Sequence, residues 1–560
     1  KKAIKNYEIA LKFNPNYVSA LFNLAILRKE NGEVAKAISN YKFLLKNNQF
    51  HIESNYNLSS IYLEQKRYSL AIFHLKKILE VQNYYLDTFL KLGISYHKIN
   101  NLKNALHYYL EELKINENNH EAYYLIGSVF IDKGDYNKAY KNFLRVLKIN
   151  PNISKNLTSL GDIMQKKSNF DLAIKYYRRS LKLNPACVIT NNNLGFTYEK
   201  KREYFKAINC YKKSLSYDPN YFEANHNIGN SLKKIGDLDN ALVFYEKALK
   251  IFPNNPDTLV NYGYVNLLKG NLKNGFKLYE QRLFRRDNTT RPPKVTLIWD
   301  GKESLKGKRF FVYEEQGLGD IIQFSRYLIL LKEKGAIVTF KVKKELHKLI
   351  STIKININLI SHTPNYEEID FEAPLLSLPH LFKTDIHTIP YPEKYIYADN
   401  RKIKFWKNQL DNKKFKIGIN WTARKDDKSF DIDNFKKIAN FKNVQLISIQ
   451  KTDKIDPKKI DFKIKTFSKK IDIDRDSFVD TAAIIMNCDL IITCDTSIAH
   501  LSGALGKKTW ILLKKIPDWR WMMHRSDTPW YKNVKLFRNN NIKSWETTFN
   551  KVYQQLDNLL

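Results

Sequence analysis

Small and apolar residues return on a fixed beat through the first half of the chain. Ala3, Ala37, Ala71, Ala105, Ala139, Ala173, Ala207 and Ala241 are spaced 34 residues apart, and Gly275 keeps the register once more. Four residues after most of them stands an aromatic: Tyr7, Tyr41, Tyr109, Phe143, Tyr177, Tyr211, Tyr245 and Tyr279. Twelve residues before them come Gly93, Gly127, Gly161, Gly195, Gly229 and Gly263, with Ala25 and Ser59 in the same register. Pro15, Pro151, Pro185, Pro219 and Pro253 fall twelve residues after. Small residues at fixed points let two antiparallel helices approach closely, and the prolines break the chain between one helix pair and the next. The pattern predicts an α-solenoid over residues 1–285. Residues 1–17 supply only the second helix of a pair, so further repeats are expected before Lys1.

After Arg285 the period ends. Arg291-Pro292-Pro293 marks a linker over 286–305, and strand and helix signals then alternate. Arg309–Tyr313 reads as a strand, Gln316-Gly317-Leu318-Gly319-Asp320 as a glycine turn and Ile321–Lys334 as a helix. Ile337–Val342 and Pro374–Leu378 predict further strands, and the polar stretch Asp399–Lys414 a hinge. A second set follows: Lys416–Trp421, Val444–Gln450 and Cys488–Leu513. Two α/β halves with parallel sheets, 306–400 and 401–560, are expected, with ligands at the carboxyl ends of the strands.

Within the second half, Cys488–Thr493 predicts a strand, Ile498–Leu505 a helix ended by Gly506, and Thr509–Leu513 a returning strand. Asp495, Thr496 and Ser497 stand at the helix start, and His500 shares the face of Thr496 one turn on. Unsatisfied N–H groups and the positive end of the helix dipole make such a start an anion seat suited to a diphosphate, with plain helix capping as the competing reading.

A chain of 560 residues with 43% hydrophobic and 13% aromatic residues has ample material for more than one folded domain. The formal charge of +37 comes largely from lysines spread evenly among asparagine and isoleucine, as biased codon usage produces, with no arginine-rich block. That favours attraction to acidic substrates over dedicated nucleic-acid binding. Cys187, Cys210, Cys488 and Cys494 lack metal-ligand spacing and predict neither a metal site nor a disulfide framework. No apolar run approaches membrane-spanning length. A cytoplasmic location, or one at the inner face of the membrane, is expected; the chain opens at Lys1 without an initiator Met, which leaves targeting open.

The repeated small and aromatic positions resemble the tetratricopeptide repeat family, with mild departures: Gln49, Asn83 and Glu117 replace the proline, and Glu112 occupies a usually small position. Such arrays bind extended partners on a concave face. Asn23, Asn57, Asn193, Asn227 and Asn261 recur just before the Leu/Ile/Tyr-small pair of the first helix, interrupted by Lys91, Leu125 and Ser159. They resemble the asparagine ladder in the repeats of protein O-GlcNAc transferases, which implies hydrogen bonding to a peptide backbone.

Glu315-Gln316-Gly317-Leu318-Gly319-Asp320 with Gln323-Phe324-Ser325-Arg326-Tyr327 resembles glycosyltransferase family 9, the heptosyltransferases. So do Asp495-Thr496-Ser497-Ile498-Ala499-His500-Leu501 and Gly503-Ala504-Leu505-Gly506. Asp518-Trp519-Arg520-Trp521 and Pro529-Trp530-Tyr531 are similar to segments of bacterial proteins that fuse tetratricopeptide repeats to this domain. The resemblance implies a GT-B fold of two Rossmann-like halves, acceptor side first and nucleotide-sugar side second.

It also implies roles. Asp320 matches the proposed general base, with Gly317, Gly319 and Gln316 in the loop beside the acceptor; the competing reading has Asp320 cap the following helix. Asp495, Thr496, Ser497 and His500 match the donor-binding motif, His500 donating to phosphate or sugar oxygens. Thr422 and Lys428 resemble a donor-half loop, with Lys428 facing phosphate or sugar, and Gln450 and Lys451 a segment near the nucleotide. That loop departs from the repeat-fused group, which has glycine near Ala423 and a His-containing loop before an Arg-Ser pair, here Lys428-Ser429. Trp519 and Trp521 are expected in the aromatic core. Asp472-Ile473-Asp474 lies in a lysine-rich polar segment, so a metal-independent, inverting transfer is expected, with a nucleotide sugar as substrate and no cofactor. The acceptor is a protein or a glycan, with protein partners on the repeats. The competing reading is an interaction scaffold with a degenerate transferase domain.

Overall fold

A computed structural model describes residues 2–285, 297–411, 413–423, 428–450, 460–467, 471–473, 477–541 and 544–560. The chain forms two compact units, one ending at Pro219 and one running from Asn220 to Leu560. The division falls inside the repeat array.

The first unit is a stack of helix pairs, from Lys2–Phe13 to Tyr204–Tyr217. Short polar side chains start several helices: Asn101, Asn119, Asp135 and Asn169 each accept from the backbone N–H three residues on. From Gly93 to Gly195 each pair closes where a glycine meets the aromatic ring of the next helix. A Cβ added to Gly127 would lie 2.5 Å from the Phe143 ring, and one on Gly161 2.5 Å from that of Tyr177. Only hydrogen fits there. At Ser59 the glycine is missing, and so is the aromatic in the matching position, which is Leu75; both are fully buried.

The second unit opens with helices of the same pattern, Phe222–Ile235, Leu238–Ile251, Pro256–Lys269 and Leu272–Tyr279. A four-stranded sheet follows: β1 (Arg309–Tyr313), β2 (Ile337–Lys341), β3 (Asn358–Ile360) and β4 (Phe371–Pro374), all parallel in the order β3-β2-β1-β4. The second sheet holds β5 (Phe415–Asn420), β6 (Val444–Ser448), β7 (Leu490–Cys494), β8 (Thr509–Leu513) and β9 (Val534–Arg538). It too is parallel, in the order β6-β5-β7-β8-β9. Burial on both faces explains the continuous apolar runs of β7 and β8, in which every residue is buried. In each sheet the first strand lies between two later ones, so the strand order reverses beside it. The carboxyl ends of β1 and of β5 with β7 are therefore the crevices where such sheets take ligands.

Several predicted elements change. The helix expected over Ile321–Lys334 is two, Leu318–Phe324 and Arg326–Glu333. At the break the buried Ser325 hydroxyl donates to the Ile322 carbonyl (2.9 Å) and Arg326 Nε to the Gln323 carbonyl (2.8 Å), which competes with the helix ladder. The strand expected at Pro374–Leu378 ends at Pro374, and its leucines pack as a 3-10 turn. The polar stretch read as a hinge contains the helix Asn400–Lys407, capped by Asp399, which accepts from Arg401 N (2.7 Å) and Lys402 N (3.3 Å). Arg291-Pro292-Pro293 lies outside the described residues. Downstream of it, Trp299 and Leu305 are core residues, with Trp299 edge-on to Phe310 and Phe382.

The last repeat helix packs on the α/β halves. Phe276 meets Trp519 edge-on at 5.5 Å, and Arg282 is buried against Glu315 (Nε–Oε1 3.0 Å), Glu280 (2.6 Å) and the Ser377 hydroxyl (2.9 Å). Burial works against the Arg282 charge, and the two carboxylates more than offset it. Among the described residues no helix is long and apolar enough to cross a membrane.

Candidate active site

β1 runs into Glu315, Gln316 and Gly317, which turn the chain into the Leu318–Phe324 helix. Gln316 takes a left-handed backbone (φ 64°), and its amide nitrogen donates to the Tyr279 hydroxyl of the last repeat (3.2 Å). Asp320 Oδ2 accepts from Gly317 N (2.9 Å), so Asp320 does cap this helix. Its other oxygen, Oδ1, receives Arg520 Nη2 from the opposite half. Gly319 is where the two halves touch: a Cβ there would lie 2.9 Å from His500 Cδ2 and 3.5 Å from Ser497 Cα. Its small size thus serves helix contact.

Across the crevice, β7 ends at Cys494 and the Ser497–Ala504 helix begins after Thr496. The Thr496 hydroxyl makes no cap bond to the helix; it accepts from Asn420 Nδ2 at the end of β5 (3.2 Å), which also reaches the Thr493 hydroxyl (3.2 Å). The first turn is thus held from β5. Asp495 accepts from Trp521 Nε1 (2.8 Å) and pairs with Lys428 Nζ (2.5 Å), so both its oxygens are engaged. Burial works against the Lys428 charge, and Asp495 with Asp518 more than offsets it.

His500 departs from its expected place. It is 5% exposed, stacks on Trp521 at 5.1 Å, and its Nδ1 lies 3.0 Å from the Tyr531 hydroxyl. Burial, with Arg520 nearby, holds it neutral, well below the ordinary histidine range. Gln450 is likewise turned inward: its Oε1 accepts from Trp421 N (3.2 Å) and Thr422 N (3.0 Å), and its Nε2 donates to the Thr422 hydroxyl. Gln450 therefore shapes the loop after β5. Lys451 and the 424–427 segment lie outside the described residues, as does Asp474. Asp472 is spent on the Val479–Asn487 helix, accepting from Asp480 N (2.8 Å) and the Thr481 hydroxyl (2.7 Å).

Arg520, to which the sequence reading gave no role of its own, joins these parts. Besides Asp320 it reaches Asp518 Oδ1 (Nη1, 2.7 Å) and Gln323 Oε1 (Nε, 2.9 Å), while its guanidinium lies 4.3 Å over the Trp519 ring. The two carboxylates it bridges behave oppositely. Burial holds Asp320 above the ordinary carboxylate range, with Arg520 offsetting only part of it. At Asp518 burial also acts to raise the value, but Arg520 and Lys428 outweigh it and hold the group below. Arg326, fully buried, donates to the carbonyls of Gln323 (2.8 Å), Pro390 (3.2 Å) and Trp530 (2.8 Å) and to the Tyr395 hydroxyl (3.1 Å), and so also ties the halves together. Both arginines sit in runs where polar and aromatic residues alternate, Gln323–Tyr327 and Asp518–Trp521.

Trp519 and Trp521 are core residues as expected, each 1% exposed. Along the repeats, Asn193 Nδ2 donates to Asp162 (2.9 Å) and Asn261 Oδ1 accepts from Lys233 (2.7 Å), while Asn57 bonds the Tyr41 hydroxyl. Asn23, Asn57, Asn193, Asn227 and Asn261 are all half-buried. Asn193 and Asn261 therefore spend part of their amides on neighbouring repeats.

Two parallel-sheet halves with facing switch-point loops define a GT-B architecture, here preceded by an α-solenoid. Residues 380–555 match the model of glycosyltransferase family 9 (heptosyltransferase). Tetratricopeptide repeat models match 6–39, 52–85 and 222–255, and the C-terminal ARM domain of tetratricopeptide repeat protein 21 matches 96–230. The chain joins tetratricopeptide repeats to a glycosyltransferase family 9 domain. Asp320 precedes the matched segment, whereas Lys428, Asp495, Thr496, Ser497 and His500 lie in it. Protein FlbA of Caulobacter vibrioides is 23% identical over 283 residues, 45% of this chain and 47% of that protein; the chain spans about half the length of this curated relative. Among solved structures, MamA is similar at 25% identity over 30% of this chain and 97% of its own, with a TM-score of 0.28. YrrB, a tetratricopeptide repeat protein with an unusual peptide-binding site, is similar at 22% over 33% and 95%, with a TM-score of 0.29.

Proposed function

We propose that this chain transfers a hexose or heptose, with inversion and without a metal, from a nucleoside-diphosphate sugar to a hydroxyl of a protein or glycan acceptor. The observation that carries this reading is the contact of Gly319, next to Asp320, with Ser497 and His500 across the crevice, Arg520 bridging the halves to Asp320. The acceptor hydroxyl gives its proton to Asp320 as its oxygen bonds to the anomeric carbon. The bond from that carbon to the diphosphate breaks, and its electron pair leaves on the phosphate oxygen. A positioned carboxylate base contributes roughly 10²–10⁴-fold. The N-terminal turn of the Ser497–Ala504 helix, with the Thr496 and Ser497 hydroxyls, receives the departing charge.

In this reading His500 and Gln450 act behind the ligand: His500 sets the contact with Gly319, and Gln450 the loop carrying Thr422. The repeats receive protein partners, a protein acceptor among them. The test is a panel of nucleotide sugars, following nucleoside-diphosphate release by the parent and by Asp320→Asn. Donor binding in both with turnover only in the parent supports the reading. No binding of any donor by folded protein favours the scaffold alternative.

A further inference from the structure

Among the described residues the candidate site contains two cations, and carboxylates hold both. Lys428 is paired with Asp495 (2.5 Å). Arg520 lies between Asp320 and Asp518, with Gln323 taking its Nε. Both pairs are largely withdrawn from water: side-chain exposure is 8% for Arg520, 17% for Asp320, 22% for Lys428 and 11% for Asp495. A diphosphate that enters beside the Ser497–Ala504 helix start can draw on either of these cations only by taking it from its carboxylate.

The two pairs differ in how readily they exchange. The Asp495 carboxylate keeps a second hold, the Trp521 indole N–H (2.8 Å), which leaves it tied to the donor half. Asp320 keeps the Gly317 N–H (2.9 Å) on the acceptor half, so only its ion pair spans the crevice. Arg520 would keep Asp518 (2.7 Å) after leaving Asp320, so the guanidinium never becomes unpaired in the interior. Its fork can hold a carboxylate on one nitrogen and a phosphate oxygen on the other.

We propose that Arg520 is a donor-diphosphate ligand that latches Asp320 until the donor arrives. In this structure Arg520 occupies the Asp320 oxygen that has no backbone partner among the described residues. When the diphosphate takes that guanidinium nitrogen, the oxygen is released towards the acceptor hydroxyl. Base and leaving-group site are thereby coupled, and donor binding precedes activation of the acceptor. This rests on the transferase reading above.

The test measures equilibrium binding of UDP, GDP, ADP, CDP and dTDP to the full chain. Four forms are compared: the parent, Asp320→Asn, Arg520→Gln and the double variant, each with its melting midpoint. Asp320→Asn keeps the cap oxygen and removes the competitor for Arg520, so the bound nucleotide is expected to tighten by about fivefold or more. Arg520→Gln is expected to weaken binding, and in that background Asp320→Asn is expected to have no effect. Should Arg520→Gln fail to fold, Arg520→Lys replaces it; it keeps the charge but loses the fork, and is expected to reduce the tightening. Binding by the parent that Asp320→Asn leaves unchanged or weakens overturns the latch alone. Tightening that persists without Arg520 also overturns it, because a general field effect then suffices. No binding by any form overturns the donor reading, and the latch with it.

Discussion

Two glycine–ring contacts in this molecule invite comparison. In the repeats, Gly161 lies against the Tyr177 ring, and the hydroxyl of Tyr177 donates to Asp162 (2.7 Å) next to that glycine. In the transferase domain, Gly319 lies against His500, and the residue next to that glycine is Asp320. In both, a bare backbone lets two helices close and a carboxylate stands beside the contact. In the repeat, ring and carboxylate bond each other, and the contact is closed. At Gly319 the imidazole turns to Tyr531 and the carboxylate reaches Arg520, so the acid stays bound by a group that can be displaced. The first contact recurs with the repeat and serves packing. The second occurs once, and its charges face a crevice.

The largest effect expected on the second contact comes from its carboxylate. Asp320→Asn should lower turnover by roughly 10²–10⁴-fold with the fold intact, as steady-state rates and circular dichroism would show. In the parent, the acid limb of kcat/KM should lie above the ordinary aspartate value of 3.8, because burial raises this group; activity is present above that limb and lost as pH falls through it. The variant's residual rate should lack the limb.

Arg326→Met should destabilise the second unit by about 3–5 kcal/mol in denaturant titration, because it strips buried carbonyls of a charged donor. The first unit's transition should stay in place. The glycines themselves separate the two contacts. Gly161→Ala should cost the repeats about 1–3 kcal/mol and leave turnover unchanged, whereas Gly319→Ala should depress turnover by prising His500 from the helix. Equal effects of both on turnover would remove the distinction drawn above.

The smallest effect concerns a carboxylate in the repeats with no such use. Glu112 is 3% exposed; one oxygen accepts from Asn119 (2.9 Å) and the other has no partner among the described residues. Burial raises its pKa above the ordinary 4.5, so its ionised form opposes folding. Glu112→Gln should stabilise the first unit by ~1 kcal/mol at neutral pH. That gain should shrink as pH falls through the raised folded value and vanish below 4.5, which urea titrations at several pH values would show.

Legibility followed the range of the contacts. Strands Arg309–Tyr313 and Thr509–Leu513 stand where the apolar runs put them, since runs buried on both faces leave little choice. Pro374–Leu378 failed because a short apolar run looks the same in a strand and in a buried turn. The Asn400–Lys407 helix was hidden because it is short, is made mostly of polar and charged residues and fully buries one residue, Trp406. In the site, Asp320 and the Asp495–Ser497 turn could be picked out from their motifs. The inward turn of His500 and Gln450 could not, because their partners, Tyr531, Trp421 and Thr422, are set by packing.

By itself, the sequence determined the repeat register and the alternation that makes two parallel sheets, since both rest on neighbours within one period or one strand. It also marked the two turns that carry the candidate chemistry. Tertiary structure decided what those turns hold on to. Arg520 reaches Asp320 only because Gly319 lets the halves meet, and Asp495 is bound to Lys428 and Trp521 only because three separate loops converge. Charge partners in an interior are chosen by distance in space and by what burial makes costly to leave alone, and neither is written in the order of the residues.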